Sequence, residues 1–91
     1  MNTRSYEAAL KSIERIAKPS AQIMEAKQKI LFQLGTQSFA NANFEQALQY
    51  LNQSITIGQY NRQTKADAYY WCGESYYRLN RMMEAARVYN S

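Results

Sequence analysis

The sequence has no histidine, one cysteine, one proline and three glycines among its 91 residues. Histidine is the most common general base in enzymes and a frequent metal ligand, so its absence removes a large class of catalytic and metal sites. The single cysteine, Cys72, cannot form an intrachain disulfide. Glycine and proline supply most tight turns, and an all-β chain of this length would need more of them. These shortages favour helices joined by short loops.

The chain also has no run of basic residues and no long apolar segment. Its net charge of +4 is spread over both ends, while residues 30–59 carry a single charged side chain, Glu45. Nucleic-acid-binding proteins usually cluster their basic charge, so we expect no nucleic-acid partner. No apolar run approaches the roughly 20 residues of a membrane span, so we expect no membrane insertion. The cellular compartment stays open: cytoplasmic, or envelope-associated if the parent chain has a leader.

An internal repeat occurs at an interval of 38 residues. Three stretches begin with a large apolar residue and carry alanine three positions later; they start at Tyr6, Phe44 and Met82. A second landmark, a glycine that follows a small or apolar residue, recurs at the same interval as Gly35 and Gly73. Two landmarks with one period indicate a repeated structural unit.

Apolar residues at helical spacing predict five helices. They cover residues 6–17, 21–41, 44–57, 62–79 and 82–90. Ser5 and Asn43 precede apolar faces, so we expect each to cap a helix, and we expect Asn80 to cap the last one. Gly35 and Gly73 fall inside predicted helices, where glycine costs about 1 kcal/mol relative to alanine. We therefore expect a neighbouring helix to approach closely at both glycines.

At these positions the sequence resembles the tetratricopeptide repeat, a unit of about 34 residues. Residues typical of that family are Leu34-Gly35, Phe44, Ala47, Tyr69, Gly73, Tyr76, Ala85 and Tyr89. The segment 67–79 is also similar to repeats of bacterial cell-envelope scaffolding proteins. The period of 38 is longer than the family's, and the extra residues fall around 19–25 and 58–65. They are expected to lengthen a helix or to add a loop.

The resemblance implies an all-α fold, a right-handed superhelix of antiparallel helix pairs. The chain then contains the second helix of a partial repeat (6–17) and two repeats (21–57 and 62–90), in a single domain that is part of a longer array. In this family the inner wall commonly grips a peptide or a partner protein. Carried over to this sequence, the inner wall comprises Lys29, Phe32, Thr36, Phe39, Asp67, Tyr70, Trp71, Glu74, Tyr77 and Arg78.

Some of these residues have two interpretations. Tyr69, Tyr76 and Tyr89 are interpreted as packing residues, whereas Trp71 is either a contact between repeats or an anchor for a partner. Cys72 is interpreted as a small buried apolar residue, because a nucleophilic thiol needs an activating base.

The sequence therefore predicts a non-catalytic scaffold without cofactor or metal that binds a protein or peptide. Self-assembly is the alternative function, because terminal helices of a repeat array expose apolar surface. Met82, Val88 and Tyr89 are expected to be partly uncovered, and a homodimer through the terminal helices would cover them.

Overall fold

The computed structural model describes residues 3–90, which form five α-helices and no strand. The helices are α1 (Thr3–Glu14), α2 (Ala21–Ala40), α3 (Phe44–Thr56), α4 (Arg62–Arg78) and α5 (Met82–Tyr89). A single 3-10 turn, Gly58–Tyr60, precedes α4 and takes up part of the additional length of the repeat. The prediction of an all-helical chain with about five helices is confirmed for these residues.

Helix α1 is displaced by three residues from the predicted range 6–17. It begins before Ser5, so the predicted capping role of Ser5 is wrong. At its other end, the N–H groups of Arg15 and Ile16 bond to carbonyls three residues back. Such bonds tighten the last turn. Pro19 then disfavours helical backbone at the residue before it, so α2 starts afresh.

Side-chain caps determine where the central helices begin. The side-chain oxygens of Ser20, Asn43 and Asn61 accept backbone N–H groups three residues ahead, at 3.2, 3.4 and 2.8 Å. These bonds satisfy donors that a helix leaves open at its first turn. Helix α5 starts after Arg81, which makes no such bond. Asn80 does not cap α5 as expected, because it lies in left-handed backbone at the end of α4.

Helices α2 and α4 end in the same way, 38 residues apart. The N–H of Asn43 bonds to Ser38 O and that of Arg81 to Tyr76 O, both at 2.8 Å. The residues just before these donors, Ala42 and Asn80, have φ angles of 62° and 60°. Together these features form a Schellman motif at each helix end. The interval found in the sequence is therefore also an interval in backbone hydrogen bonding.

Consecutive helices are antiparallel, and α2 runs parallel to α4. Ser38, near the end of α2, contacts Gln46, near the start of α3, whereas the Gln28 carbonyl of α2 accepts from Ser54 near the end of α3. In contrast, Asn61, which precedes α4, bonds to Glu25 near the start of α2. Near the other end of α2, Phe39 contacts Trp71 and Arg78 of α4.

Both mid-helix glycines lie where another helix approaches, as predicted. Gly35 and Gly73 are buried. A Cβ built on Gly35 would lie 2.6 Å from Leu51 Cγ of α3. A Cβ on Gly73 would lie 2.5 Å from the ring of Tyr89 on α5. These distances are shorter than van der Waals contact, so each glycine permits the packing of the helix that follows it.

The core lies between α3 and α4 and is built from small and aliphatic side chains. Its fully buried members are Ala47, Leu48, Leu51, Ala68 and Cys72. Phe32, Phe39 and Trp71 pack against this cluster from its edge. The molecule measures 38 × 26 × 18 Å, and its smallest dimension is about two helix diameters. Within residues 3–90, no helix combines the length and apolar character that crossing a membrane requires.

Candidate functional site

A row of five aromatic rings crosses from α3 over α2 and α4 to α5. In order along the row these are Phe44, Phe39, Trp71, Tyr70 and Tyr89. Successive ring centroids are 5.1, 5.0, 5.4 and 6.4 Å apart. The first three pairs are edge-to-face, an arrangement worth about 0.5–1.5 kcal/mol per pair beyond the area that it buries. We call these five residues the aromatic row.

The aromatic row changes from packed to open along its length. Phe44, Phe39 and Trp71 are half-buried, whereas Tyr70 is 53% exposed and Tyr89 46% exposed. The contact between Phe39 and Trp71 joins α2 to α4, so it fixes the two parallel helices side by side. Of the two interpretations of Trp71, the structure shows the contact between helices.

Charged and polar groups surround the exposed part of the row. The Arg78 guanidinium lies over the Phe39 ring, 5.7 Å from its centroid. Tyr77 is 56% exposed and lies seven residues after Tyr70, so both rings occupy the same side of α4. The Tyr89 hydroxyl donates a short hydrogen bond to the Glu74 carboxylate. We define the α2/α4 face as Phe39, Tyr70, Trp71, Glu74, Tyr77 and Arg78.

The other predicted binding residues lie apart from this group or are engaged within their own helix. Lys29 pairs with Glu25 at 3.5 Å near the start of α2. The Thr36 hydroxyl donates to the Gln33 carbonyl, and Asp67 accepts from the Gln63 amide. Phe32 packs against the core cluster and is only half-exposed. The ten residues therefore divide into a contiguous group of six and four that are separate from it.

Tyr89 is held in place by its hydrogen bond and by its ring contacts. Partial desolvation and the bond to Glu74 raise the pKa of its hydroxyl to about 12. The hydroxyl therefore stays protonated at neutral pH and keeps donating to the carboxylate. This bond joins α5 to α4 beside Gly73, against which the Tyr89 ring packs.

The lone thiol lies in the core rather than on the α2/α4 face. Cys72 is 1% exposed, and burial raises its pKa to about 12. A nucleophilic cysteine acts as the thiolate, which such a pKa disfavours. Within residues 3–90, no three histidine, cysteine, aspartate or glutamate side chains come close enough together to hold a metal ion.

The structure contains one polar cluster that sequence reasoning missed, which we call the linker latch. It consists of Glu25, Gln28 and Asn61. The Gln28 amide donates to the carbonyl of Asn61 at 2.8 Å, and the Asn61 amide donates to Glu25 at 2.8 Å. Gln28 is completely buried. Its glutamine neighbours in the sequence gave no sign of this role, although Asn61 could have been recognised as a cap from its place before α4.

Comparison of the chain with protein-family models, with curated proteins and with solved structures finds no match to any of them. The functional argument therefore depends on the geometry of the chain itself.

Proposed function

We propose that the chain is a non-catalytic interaction scaffold of the tetratricopeptide type, which binds a peptide or a segment of a partner protein on the α2/α4 face. The observation that carries this proposal is the exposure of Tyr70 and Tyr77 on the same side of one helix, next to Arg78. Aromatic and arginine side chains are the residues most enriched at binding hot spots.

The rigidity of the face also supports this function. The Phe39–Trp71 contact and the Arg78 guanidinium over Phe39 hold the supporting side chains in place. A surface that is ordered before binding loses little conformational entropy when a ligand arrives. Glu74 and Arg78 place opposite charges on the face, so a ligand that pairs with both is bound in one orientation.

Selection from a random peptide library displayed on phage tests the proposal. We expect the immobilised chain to enrich related sequences. Tyr77→Ala and Arg78→Ala should each weaken the selected peptides by about tenfold, the effect of losing roughly 1.4 kcal/mol. Gln49→Ala, an exposed change on α3, serves as the control and should leave affinity unchanged. Enriched peptides that bind all three variants equally would place the binding site elsewhere, and a selection without enrichment would count against a peptide ligand.

Self-assembly is the second candidate function, and the exposure of α5 favours it. Met82 and Met83 are 47% and 77% exposed on the last helix. Burial of such side chains between two copies would remove apolar surface from water. Light scattering over a range of concentrations distinguishes the two: self-assembly predicts a mass that increases with concentration, and the scaffold function alone predicts a constant mass of 10.6 kDa.

A further inference from the structure

An open groove runs between α4 and α5, on the opposite side of α4 from α2 and α3. Its volume is about 490 Å³. The lining residues are Arg62, Lys65, Ala66, Tyr69, Tyr70, Val88 and Tyr89. It shares Tyr70 with the α2/α4 face but otherwise uses different residues. We call it the α4–α5 groove.

The chain has the same seven positions one repeat earlier, between α2 and α3. They are Met24, Lys27, Gln28, Leu31, Phe32, Tyr50 and Leu51. There Gln28, Leu31 and Leu51 are 0%, 1% and 0% exposed. Their counterparts Ala66 and Tyr89 are exposed, and Tyr69 is half-buried.

The difference arises because α4 and the linker before it occupy the earlier position. Leu51 shares the core cluster with Ala68 and Cys72 of α4, and Gln28 bonds to the Asn61 carbonyl. Helix α4 fits there because small side chains line its buried side. These are Ala68, Cys72 and Ser75, at positions i, i+4 and i+7. The shape that the chain itself places in such a groove is therefore an α-helix with small residues at this spacing.

The charge at the rim of the α4–α5 groove indicates which kind of helix fits. Arg62 and Lys65 lie at the N-terminal end of α4, and neither takes part in an ion pair with residues 3–90. Glu74, the carboxylate nearest to the far wall, accepts from Tyr89. A second copy of the chain would bring the same two cations to this groove, whereas an acidic partner would neutralise them.

We propose that the α4–α5 groove binds an amphipathic α-helix of a partner protein, with carboxylates in its first turn and small residues at i, i+4 and i+7. The helix lies parallel to α4, as α4 lies parallel to α2, and this orientation brings its acidic first turn to Arg62 and Lys65. Carboxylates in the first turn also stabilise the bound helix through its dipole. This is a second site, independent of peptide binding on the α2/α4 face.

Two synthetic 18-residue helical peptides test this proposal by NMR titration of the isotope-labelled chain. Both carry alanine at i, i+4 and i+7; one has three glutamates in its first turn and the other three lysines. We expect the acidic peptide to half-saturate the chain below about 1 mM and the basic peptide to bind at least about tenfold more weakly. Shifted amide signals should cluster at residues 62–70 and 86–89.

Variants of the chain separate groove binding from nonspecific attraction. Arg62→Glu should remove the preference for the acidic peptide, whereas Lys11→Glu, which makes the same change in net charge on α1, should preserve it. Ala66→Trp should fill the groove and abolish binding, and Tyr77→Ala on the α2/α4 face should not affect it. The proposal is overturned if the acidic peptide does not bind, if Lys11→Glu acts like Arg62→Glu, if the shifts lie elsewhere, or if a second copy already covers residues 62–70 in solution.

Discussion

At the scale of single residues, the two left-handed positions show where the sequence is under backbone strain. Ala42 and Asn80 occupy equivalent places after α2 and α4, with φ angles of 62° and 60°. An alanine in this region costs about 1–2 kcal/mol because its Cβ crowds the backbone. Asparagine tolerates the same conformation better, since its side chain can bond locally. The turn after α2 is therefore the more strained of the two.

Replacement of Ala42 by glycine should stabilise the fold. We expect Ala42→Gly to increase the free energy of unfolding by about 0.5–1 kcal/mol, since glycine relieves the strain but also loosens the unfolded chain. Urea unfolding followed by circular dichroism measures this change. Ala40→Gly, two residues earlier in helical backbone, should instead lower stability by about 1 kcal/mol. Equal effects of the two changes would contradict the assigned conformation of Ala42.

The two mid-helix glycines should respond differently to alanine. Gly35 faces Leu51, which is completely buried and cannot move away, whereas Gly73 faces the partly exposed ring of Tyr89. We expect Gly35→Ala to lower stability by about 1–2 kcal/mol, because overpacking exceeds the gain in helix propensity. Gly73→Ala should change stability by less than about 1 kcal/mol and displace the Tyr89 ring. Thermal unfolding compares both variants, and a larger loss for Gly73→Ala would contradict this packing.

At the scale of helices and linkers, the linker latch holds the start of α4 against α2. The Gln28 side chain reaches the carbonyls of Gly58 and Asn61, and its own carbonyl accepts from Ser54 of α3. A single residue of α2 thus connects the 3-10 turn, the start of α4 and the end of α3. Buried polar groups of this kind are costly to leave without partners.

Removal of the Gln28 side chain should therefore destabilise the whole fold. We expect Gln28→Ala to lower the free energy of unfolding by about 2–3 kcal/mol, through the unpaired carbonyl and the cavity left behind. Denaturant unfolding measures the loss. Gln49→Ala, at an exposed position of α3, should cost less than about 0.5 kcal/mol. A loss at Gln28 no larger than that of the control would show that the latch does not hold the linker.

The latch should also make stability depend on acid pH. The hydrogen bond from Asn61, and then the nearby Lys29, lower the pKa of Glu25 below its ordinary value of 4.5. The stabilisation is fully present above pH 4.5 and is lost as the pH falls through the lowered pKa. Between pH 7 and pH 3, the natural chain should therefore lose more stability than Glu25→Gln, which keeps the acceptor oxygen without the charge. Parallel losses in urea titrations of the two proteins would argue against this contribution.

The helices could be predicted closely from the sequence where local signals determine them. Ser20 and Asn43 cap their helices, and α2, α3 and α4 start at the predicted residues. The range of α1 was wrong by three residues because Ser5, although a suitable capping residue, lies inside a helix that starts earlier. The linker latch was not predictable, since hydrogen bonds between Gln28 and Asn61 depend on how α2 and the linker pack together.

At the scale of the whole molecule, the stagger of α2 against α4 determines the binding face. The sequence predicted which side of each helix would be shared, but Phe39 meets Trp71 and Arg78 only because of the distance by which the helices are offset. That offset places Lys29, Thr36 and Asp67 outside the contiguous group. The repeat at 38 residues predicts equivalent helices, whereas the relative position of two copies follows from their packing.

The central claim is that α2 and α4 lie parallel and in contact, which creates both the α2/α4 face and the α4–α5 groove. The single tryptophan makes a direct test possible by nuclear Overhauser measurements. We predict cross-peaks from the Trp71 indole to the Phe39 ring, whose centroids are 5.0 Å apart, and from the Ala68 methyl to leucines of α3. An indole with cross-peaks only to residues of its own helix would contradict the claim.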